Sequence, residues 1–300
     1  MKKRELGESD IQVSELGLGC MSLPTERNAV DNVVSAALDA GITFFDTADL
    51  YNGGANEELV GHAIRNRREE IILATKVGNK MNPDGHTWHW DASREHIMEA
   101  VKTSLKRLET DYIDLYQLHG GTMEDNADEV IEAFDRLKEE GVIRQYGISS
   151  IRPNVISRFL LKSSAVSIMM QYNMLDRRPE EWFSMISEHN ASVIVRGTLA
   201  KGLLTAEGLE RAKNTQSFVN YNQSELHEVL ENLTANASQL HAAAIHFCLQ
   251  NKSVATTLVG ARTIQQLTDS IQAYDTAIGQ EELSALTQFL NLDHYEQHRV

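Results

Sequence analysis

The sequence predicts an α/β protein of the (β/α)8 TIM barrel class, with an N-terminal β-hairpin before the barrel and an extra helix after it. Eight short apolar runs alternate with stretches whose apolar residues recur at helical spacing. The runs are nearly unbroken, as in strands of a parallel sheet that helices cover. No G-x-G-x-x-G motif follows the first run, so a doubly wound open sheet is the less favoured alternative. Eight such units in 300 residues favour one closed barrel.

The first half of the chain contains the hairpin, which we place at residues 2–14, and four strand–helix units. The helix over 28–40 shows the pattern clearly, because its apolar residues share one face and Gly41 follows as a favoured C-terminal residue. The predicted elements, in order, are strand 16–19, helix 28–40, strand 43–46, helix 56–65, strand 71–76, helix 93–108, strand 113–118 and helix 127–140.

The second half repeats this alternation, with an irregular, glycine-bearing interruption over 197–221. Pro179 occupies a favoured first-turn position of its helix. No linker or repeat is evident, so we predict a single domain over 1–300. The remaining elements, in order, are strand 143–149, helix 153–162, strand 167–172, helix 179–188, strand 192–196, helices 223–240 and 241–250, strand 255–259, helix 263–277 and the extra helix 281–291.

The composition restricts the classes of partner. The net charge is −15, with no long basic run, which argues against nucleic acid or an anionic membrane surface. The two cysteines lie far apart, and no Cys/His spacing indicates zinc, so we predict no disulfide framework and no metal. No apolar stretch reaches the length of a signal peptide or a membrane span. We expect a cytoplasmic protein; the sequence leaves its oligomeric state open.

Four polar residues fall where barrel enzymes carry their chemistry, at the carboxyl ends of the strands. Asp46 ends the second strand, Tyr51 lies in the loop after it, Lys76 ends the third strand and His119 follows the fourth. A phenol has a reference pKa of about 10, and a nearby ammonium lowers it. We therefore predict that Lys76, held by Asp46, lowers the pKa of Tyr51 and makes it a general acid, while His119 binds a carbonyl oxygen.

A different chemistry is possible for the same barrel lysine. A Schiff-base aldolase would use a deprotonated Lys76 as its nucleophile. Asp46 opposes this interpretation, because a neighbouring carboxylate favours the charged lysine. Each of the four residues also has an ordinary structural interpretation, but four of them at one end of the barrel are difficult to explain by chance.

The chain resembles the aldo-keto reductase family, especially its bacterial members, over nearly its whole length. The first of the matching segments is fairly specific, and the ordered set is very specific. The segments are GITFFDTADLY at 41–51, NEELVG at 56–61, ATK at 74–76, DLYQLH at 114–119, GVIRQYGIS at 141–149, QYN at 171–173, KGLL at 201–204 and GAR at 260–262.

This resemblance implies an NADPH-dependent oxidoreductase that reduces a small aldehyde or ketone to an alcohol. Tyr51 would donate the proton, Asp46 and Lys76 would tune it, and His119 would orient the substrate. Since the cofactor carries the hydride, the protein would supply positioning and electrostatics. Met21, Trp88 and Trp90 are the residues expected to approach the substrate, although the aromatic-rich loop 85–90 could either form a wall of the pocket or pack on the barrel rim.

The resemblance also implies a set of cofactor-binding residues. Those expected at the nicotinamide end are Ser149, Ser150, Gln171 and Arg196. Those expected along the pyrophosphate are Gly197, Leu199, Lys201 and Gly202. Those expected around the adenosine and its 2′-phosphate are Gly260, Arg262, Gln266 and Ser270; a guanidinium beside a helix N-terminus suits a phosphate.

The sequence departs from the family pattern at three of these positions. Many members have Asn where Ser150 and Ser270 stand, and an aromatic ring where Arg196 stands. A guanidinium plane can also stack on a ring. Some barrels of this family are cofactor-sensing regulatory subunits of ion channels, which is the alternative to an enzyme. The tail after Leu292 is short, so we expect no long specificity loop there.

Overall fold

The N-terminal hairpin closes one end of the molecule. A computed structural model describes residues 1–82 and 84–299. The hairpin strands β1 (Lys3–Glu5) and β2 (Gln12–Ser14) pair antiparallel, which confirms the predicted hairpin. Its apolar side chains Leu6, Ile11 and Val13 are buried in one cluster with the barrel residues Phe44 and Leu115, so the hairpin caps the barrel interior.

The first half of the barrel alternates strands and helices as predicted. The structure adds a short antiparallel hairpin, β6–β7, in the loop after the third barrel strand. The elements are β3 (Leu16–Gly19), α1 (Arg27–Asp39), β4 (Phe44–Asp46), α2 (Ala55–Ile64), β5 (Ile72–Val77), β6 (Asn79–Met81), β7 (Trp88–Trp90), α3 (Arg94–Arg107), β8 (Ile113–Leu118) and α4 (Ala127–Glu139).

The second half completes the barrel and adds the predicted extra helix, α11. The elements are β9 (Ile143–Ser149), α5 (Pro153–Lys162), β10 (Ser167–Gln171), α6 (Phe183–Glu188), β11 (Ser192–Arg196), α7 (Gly208–Ala212), β12 (Ser217–Phe218), β13 (Tyr221–Asn222), α8 (Gln223–Asn236), α9 (Leu240–Leu249), β14 (Val254–Val259), α10 (Ile264–Asp275) and α11 (Gln280–Thr287).

The eight long strands form one closed parallel barrel, so the (β/α)8 prediction is confirmed. Their order is β3, β4, β5, β8, β9, β10, β11 and β14, with β14 pairing back to β3. Because all eight run in the same direction, their carboxyl ends meet at a single rim. Asp46, Ser149, Gln171 and Arg196 are each the last residue of a barrel strand and therefore lie on this rim.

Local hydrogen bonding produces the differences from the predicted elements. In the β6–β7 hairpin, Asp84 accepts hydrogen bonds from the backbone of His86 and Thr87, a turn that strand periodicity does not reveal. The helix predicted over 179–188 begins as a 3-10 turn and is α-helical only from Phe183. The irregular segment 197–221 contains the short helix α7 and the two-residue strands β12 and β13.

The segment after α11 folds back over the rim. Tyr295 is only 6% exposed, and the Arg299 guanidinium pairs with both carboxylate oxygens of Glu181, at 3.0 and 2.9 Å. The backbone N–H of Asn154 donates to the carbonyl of His298 at 2.9 Å. The tail therefore reaches the first turn of α5 and the 3-10 turn that follows β10. None of the helices in the two described ranges is long and apolar enough to cross a membrane.

Candidate active site

Three neighbouring strands bring the four predicted catalytic residues together. β4, β5 and β8 are adjacent in the barrel and in register, and Lys76 on β5 pairs with Gln117 on β8. Asp46 ends β4, and the backbone N–H of His119 donates to the carbonyl of Val77 just beyond β8. The rim therefore collects side chains that are far apart in the sequence.

Lys76 is the centre of this cluster. Its side chain is fully buried, and its Nζ lies 2.7 Å from Asp46 Oδ2, 2.6 Å from the carbonyl oxygen of Thr47 and 3.4 Å from the Tyr51 hydroxyl. Burial alone disfavours an ammonium, but the Asp46 carboxylate and Tyr51 outweigh it and raise the pKa of Lys76. The lysine is therefore protonated at neutral pH.

The backbone after Tyr51 turns sharply and allows its hydroxyl to reach Lys76. Residues Tyr51–Gly54 form a 3-10 turn in which Asn52, Gly53 and Gly54 have φ values of 51°, 63° and 95°. Asparagine and glycine are the residues that adopt this left-handed region most readily. The sequence Tyr-Asn-Gly-Gly thus encodes the turn that carries the phenol.

The pKa of Tyr51 moves in the opposite direction from the sequence-based prediction. Burial of the phenol raises it, and the nearby ammonium of Lys76 offsets only part of that effect. The expectation of a lowered pKa is therefore wrong for the protein alone, because loss of water around the phenolate outweighs one favourable charge. As a consequence, Tyr51 keeps its proton at neutral pH, as a proton donor must.

His119 faces the same cluster as a neutral imidazole. Its ring lies edge-on to the Tyr51 ring, with centroids 6.0 Å apart and an interplanar angle of 84°. Burial, followed by the charges of Lys76 and Arg196, lowers the pKa of His119 to about 3. Its Nδ1 is buried and has no hydrogen-bond partner among the described residues. A neutral histidine here can donate one hydrogen bond to an uncharged oxygen.

Two contributors to the site were missed by the sequence reasoning. Gln117 Nε2 donates to the second oxygen of Asp46 at 3.2 Å, so both carboxylate oxygens of Asp46 are held. The carbonyl of Thr47 is the shortest contact of Lys76 Nζ. Gln117 lies on β8, two residues before His119, and the alternation of side chains along the strand was the signal that could have found it. Backbone carbonyls give no such signal.

Two further acidic residues, Asp49 and Glu57, lie close to the site. Burial, and then the Glu57 carboxylate, raises the pKa of Asp49 to about 8, and Asp49 Oδ1 is buried without a hydrogen-bond partner in the described chain. Glu57 is fully buried, accepts from the Thr75 hydroxyl at 2.7 Å and lies 3.3 Å from Arg107. Asp49 is therefore largely protonated near neutral pH.

Replacing Asp49 is expected to stabilise the protein at high pH only. An unfolded aspartate has a pKa of about 4, whereas that of folded Asp49 is about 8, so stability falls as pH rises between these values. Asp49→Asn should raise Tm at pH 9 by about 2–4 °C or more, with little effect at pH 4 to 5. Thermal unfolding at both pH values tests this. Asp111→Asn, at an exposed position, is the control; an equal gain at both pH values for Asp49→Asn would contradict the assignment.

The predicted nicotinamide-end residues lie at the ends of β9, β10 and β11. Arg196 Nη1 donates to Gln171 Oε1 at 3.1 Å, and an added Cβ on Gly197 would lie 3.3 Å from Gln171. Ser149 and Ser150 are both buried, and the Ser150 hydroxyl accepts from the backbone N–H of Arg152 at 3.2 Å. Gln171, Arg196 and Gly197 thus form one contiguous group.

The predicted pyrophosphate residues form a tight turn after β11. Gly197, Lys201 and Gly202 have φ values of 71°, 58° and 88°, all in the left-handed region. Lys201 is exposed, whereas Leu199 is half-buried against the core. Buried Thr198 holds the turn, because its hydroxyl lies 2.6 Å from the Thr257 hydroxyl and donates to the carbonyl of Leu258 at 2.7 Å.

The predicted adenosine-end residues lie just before α10, in its first turn and, for Ser270, farther along it. Gly260, Arg262 and Gln266 are exposed, and Gln266 Oε1 accepts from the backbone N–H of Arg262 at 2.8 Å. The Arg262 guanidinium has no hydrogen-bond or ion-pair partner in the described part of the chain. Ser270 is buried; its hydroxyl donates to the carbonyl of Gln266 and lies 3.3 Å from His241 Nε2, so it faces α9.

The predicted substrate residues occupy different environments on the rim. Met21 is 64% exposed and Trp88 is 53% exposed. Trp90 packs instead on the backbone at Gly78 and Gly120, where an added Cβ would lie 2.6 and 3.2 Å from its ring. Its Nε1 donates to Asp125 at 2.8 Å. Trp90 therefore packs against the segment next to His119, whereas the side chains of Met21 and Trp88 are exposed.

The barrel and this rim cluster together are those of a barrel oxidoreductase. A family model described as "Aldo/keto reductase family" matches residues 15–291, and the chain belongs to that family. This confirms the resemblance seen in the sequence motifs. Among residues 1–82 and 84–299, no group of three or more His, Cys, Asp or Glu side chains is arranged to hold a metal.

Particular relatives agree with this assignment, two of them over the full chain and one over two thirds of it. The chain is 50% identical over 306 residues to the uncharacterized oxidoreductase YqkF of Bacillus subtilis, with both proteins fully covered. It is 51% identical to the solved holo form of aldo-keto reductase AKR11C1 from Bacillus halodurans, with a TM-score of 0.95 and full coverage of both chains. It is 32% identical over 213 residues to aldo-keto reductase yakc [NADP(+)] of Schizosaccharomyces pombe, covering 67% of this chain and 62% of that protein.

Proposed function

We propose that this chain, acting as one domain over 1–300, is an NADPH-dependent oxidoreductase that reduces aldehydes or ketones to alcohols. The observation that supports it best is the buried Lys76 ammonium, 2.7 Å from Asp46 and 3.4 Å from the Tyr51 hydroxyl. A protonated phenol beside a fixed cation is a proton donor whose conjugate base is stabilised in advance. Enzymes of this family generally use NADH or NADPH.

The residues have complementary roles in this proposal. When bound, NADPH supplies the hydride that adds to the carbonyl carbon. Tyr51 gives its hydroxyl proton to the carbonyl oxygen, and the Lys76 ammonium stabilises the phenolate that remains. Asp46 keeps Lys76 charged and fixed. The neutral imidazole of His119 donates a hydrogen bond to the carbonyl oxygen and so orients the substrate.

The residues proposed for the cofactor have the chemistry that it requires. Gln171 offers an amide at the nicotinamide end, with Ser149 and Ser150 beside it at the end of β9. Lys201 and Arg262 are exposed cations, and Arg262 stands at the N-terminus of α10, where backbone donors and the helix dipole favour a phosphate. This set supports NADPH, which carries an additional phosphate, over NADH.

A Schiff-base aldolase is less compatible with the geometry. Nucleophilic attack requires a neutral amine. Lys76 Nζ instead donates to Asp46, Thr47 and Tyr51, which occupy the three hydrogens of an ammonium. The same contacts that suit proton donation by Tyr51 therefore oppose an aldolase.

The direct test is the loss of NADPH absorbance with a panel of aldehydes and ketones, with NADH assayed in parallel. We expect oxidation of NADPH that depends on the carbonyl compound, with a higher kcat/KM than for NADH. Tight NADPH binding without turnover on any carbonyl would favour a cofactor-sensing subunit instead. The absence of NADPH binding would exclude both interpretations.

A further inference from the structure

We propose that Asp176 is a positioning residue that fixes the Gln171 amide with its oxygen on the cofactor side. The inference rests on the proposed function, because it concerns how the nicotinamide carboxamide is recognised. Asp176 lies in the turn after β10 and touches none of the four catalytic residues. It acts through Gln171, the last residue of β10.

Both polar atoms of the Gln171 amide have a hydrogen-bond partner. Its Nε2 donates to Asp176 Oδ2 at 2.7 Å, and its Oε1 accepts from Arg196 Nη1 at 3.1 Å. A carboxylate can only accept hydrogen bonds, and a guanidinium can only donate them. Reversing the Gln171 amide would therefore place oxygen against oxygen and N–H against N–H. The two neighbours enforce one orientation.

Asp176 is itself held in place. Its side chain is fully buried, and the Arg178 guanidinium contacts both of its oxygens at 2.8 Å. The backbones of Asp176 and Asn173 exchange two hydrogen bonds, at 3.2 and 3.0 Å. The Tyr295 ring packs on the Arg178 guanidinium, with its centroid 4.9 Å from the guanidinium carbon. The C-terminal tail thus completes the support of Asp176.

This arrangement predicts what the site prefers in a ligand. Gln171 Oε1 lies on the side of Arg196 and Gly197, and an amide oxygen has two lone pairs, of which Arg196 uses one. A group bound there meets an acceptor and is favoured if it donates. The NH2 of a nicotinamide carboxamide donates, whereas the methyl of an acetyl group does not. The site should therefore distinguish nicotinamide from 3-acetylpyridine.

The test compares the Kd values of NADP⁺ and of its 3-acetylpyridine analogue, measured by protein fluorescence in the absence of any carbonyl substrate. For the wild type we expect NADP⁺ to bind ~3- to 10-fold more tightly, as for one hydrogen bond. Asp176→Asn can donate as well as accept, so it removes one of the two constraints on the Gln171 amide and should lower this ratio toward that of Gln171→Leu. A merely structural defect would weaken both ligands equally and leave the ratio unchanged.

Glu180→Gln is the matched control. It removes the same charge from the same loop, where Glu180 pairs with Arg177 at 2.8 Å and accepts from Tyr172 at 2.8 Å; the described residues show no hydrogen bond between Glu180 and Gln171. Its ratio should equal that of the wild type. If Asp176→Asn folds poorly, Asp176→Asn combined with Arg178→Gln leaves no unpaired charge and should show the same loss of preference.

The outcomes separate the two proposals. A wild-type preference that falls with Asp176→Asn and persists with Glu180→Gln supports the role of Asp176. A wild type without preference, or a preference that Asp176→Asn leaves intact, overturns it while the proposed reductase activity stands. Failure of the wild type to bind either dinucleotide overturns the proposed function and this inference with it.

Discussion

Tyr51→Phe is expected to lower kcat for carbonyl reduction by about 10²-fold or more, with the Kd of NADPH nearly unchanged. Phenylalanine keeps the ring that lies against His119 and removes only the hydroxyl near Lys76 Nζ. The carbonyl oxygen then lacks its proton donor while the pocket keeps its shape. Stopped-flow single-turnover measurements report the chemical step directly, because product release does not limit them.

Tyr112→Phe is the matched control for this substitution. Tyr112 precedes β8 at the opposite end of the barrel, where its ring lies 4.0 Å from the Arg68 guanidinium carbon. Turnover should be retained in this variant. If Tyr51→Phe kept turnover within about tenfold of the wild type, another group would have to supply the proton, and the assignment of Tyr51 would be abandoned.

Lys76→Met is expected to lower both turnover and stability. Turnover should fall by about 10²-fold or more, because the phenolate of Tyr51 loses the cation that stabilises it. The free energy of unfolding should fall by about 3–5 kcal/mol, since Asp46 is left as an unpaired buried carboxylate. Urea unfolding at neutral pH and steady-state kinetics on the same preparation measure the two effects.

A double variant separates the two effects. Lys76→Met combined with Asp46→Asn removes both charges and should recover much of the stability without recovering turnover. Arg68→Met is the control for stability alone, because it removes one of the two cations at buried Asp114, at the far end of β8. It should be destabilised and still active. A double variant with turnover restored would show that the ammonium has no part in catalysis.

Much of the fold was accessible from the sequence because its determinants are local. The apolar strand runs and the helical spacing recur eight times, Gly41 marks one helix end, and the closed barrel satisfies all of these signals at once. The motif over 41–51 also encodes the turn of Tyr51 through Asn52, Gly53 and Gly54. The same motifs identified the family, which the match over 15–291 confirms.

The structure added what depends on pairing across the barrel. Strand register places Gln117 of β8 against Asp46. A turn held by Asn173 places Asp176 against Gln171. The tail is held at the rim by the ion pair between Arg299 and Glu181, which are 118 residues apart in the sequence. No sequence pattern links such residues, since the contact exists only when both segments are folded.

The sequence by itself determined the barrel, its N-terminal hairpin and the strand ends from which Asp46, Lys76 and His119 converge. Only the tertiary structure decided the proton affinities of these groups, and it reversed the expected direction for Tyr51. The reason is that a pKa reflects the balance between lost water and nearby charge. Residue identities supply the charges, but the depth of burial exists only in the assembled barrel. At Tyr51 the effect of burial on the pKa is larger than that of the nearby charge.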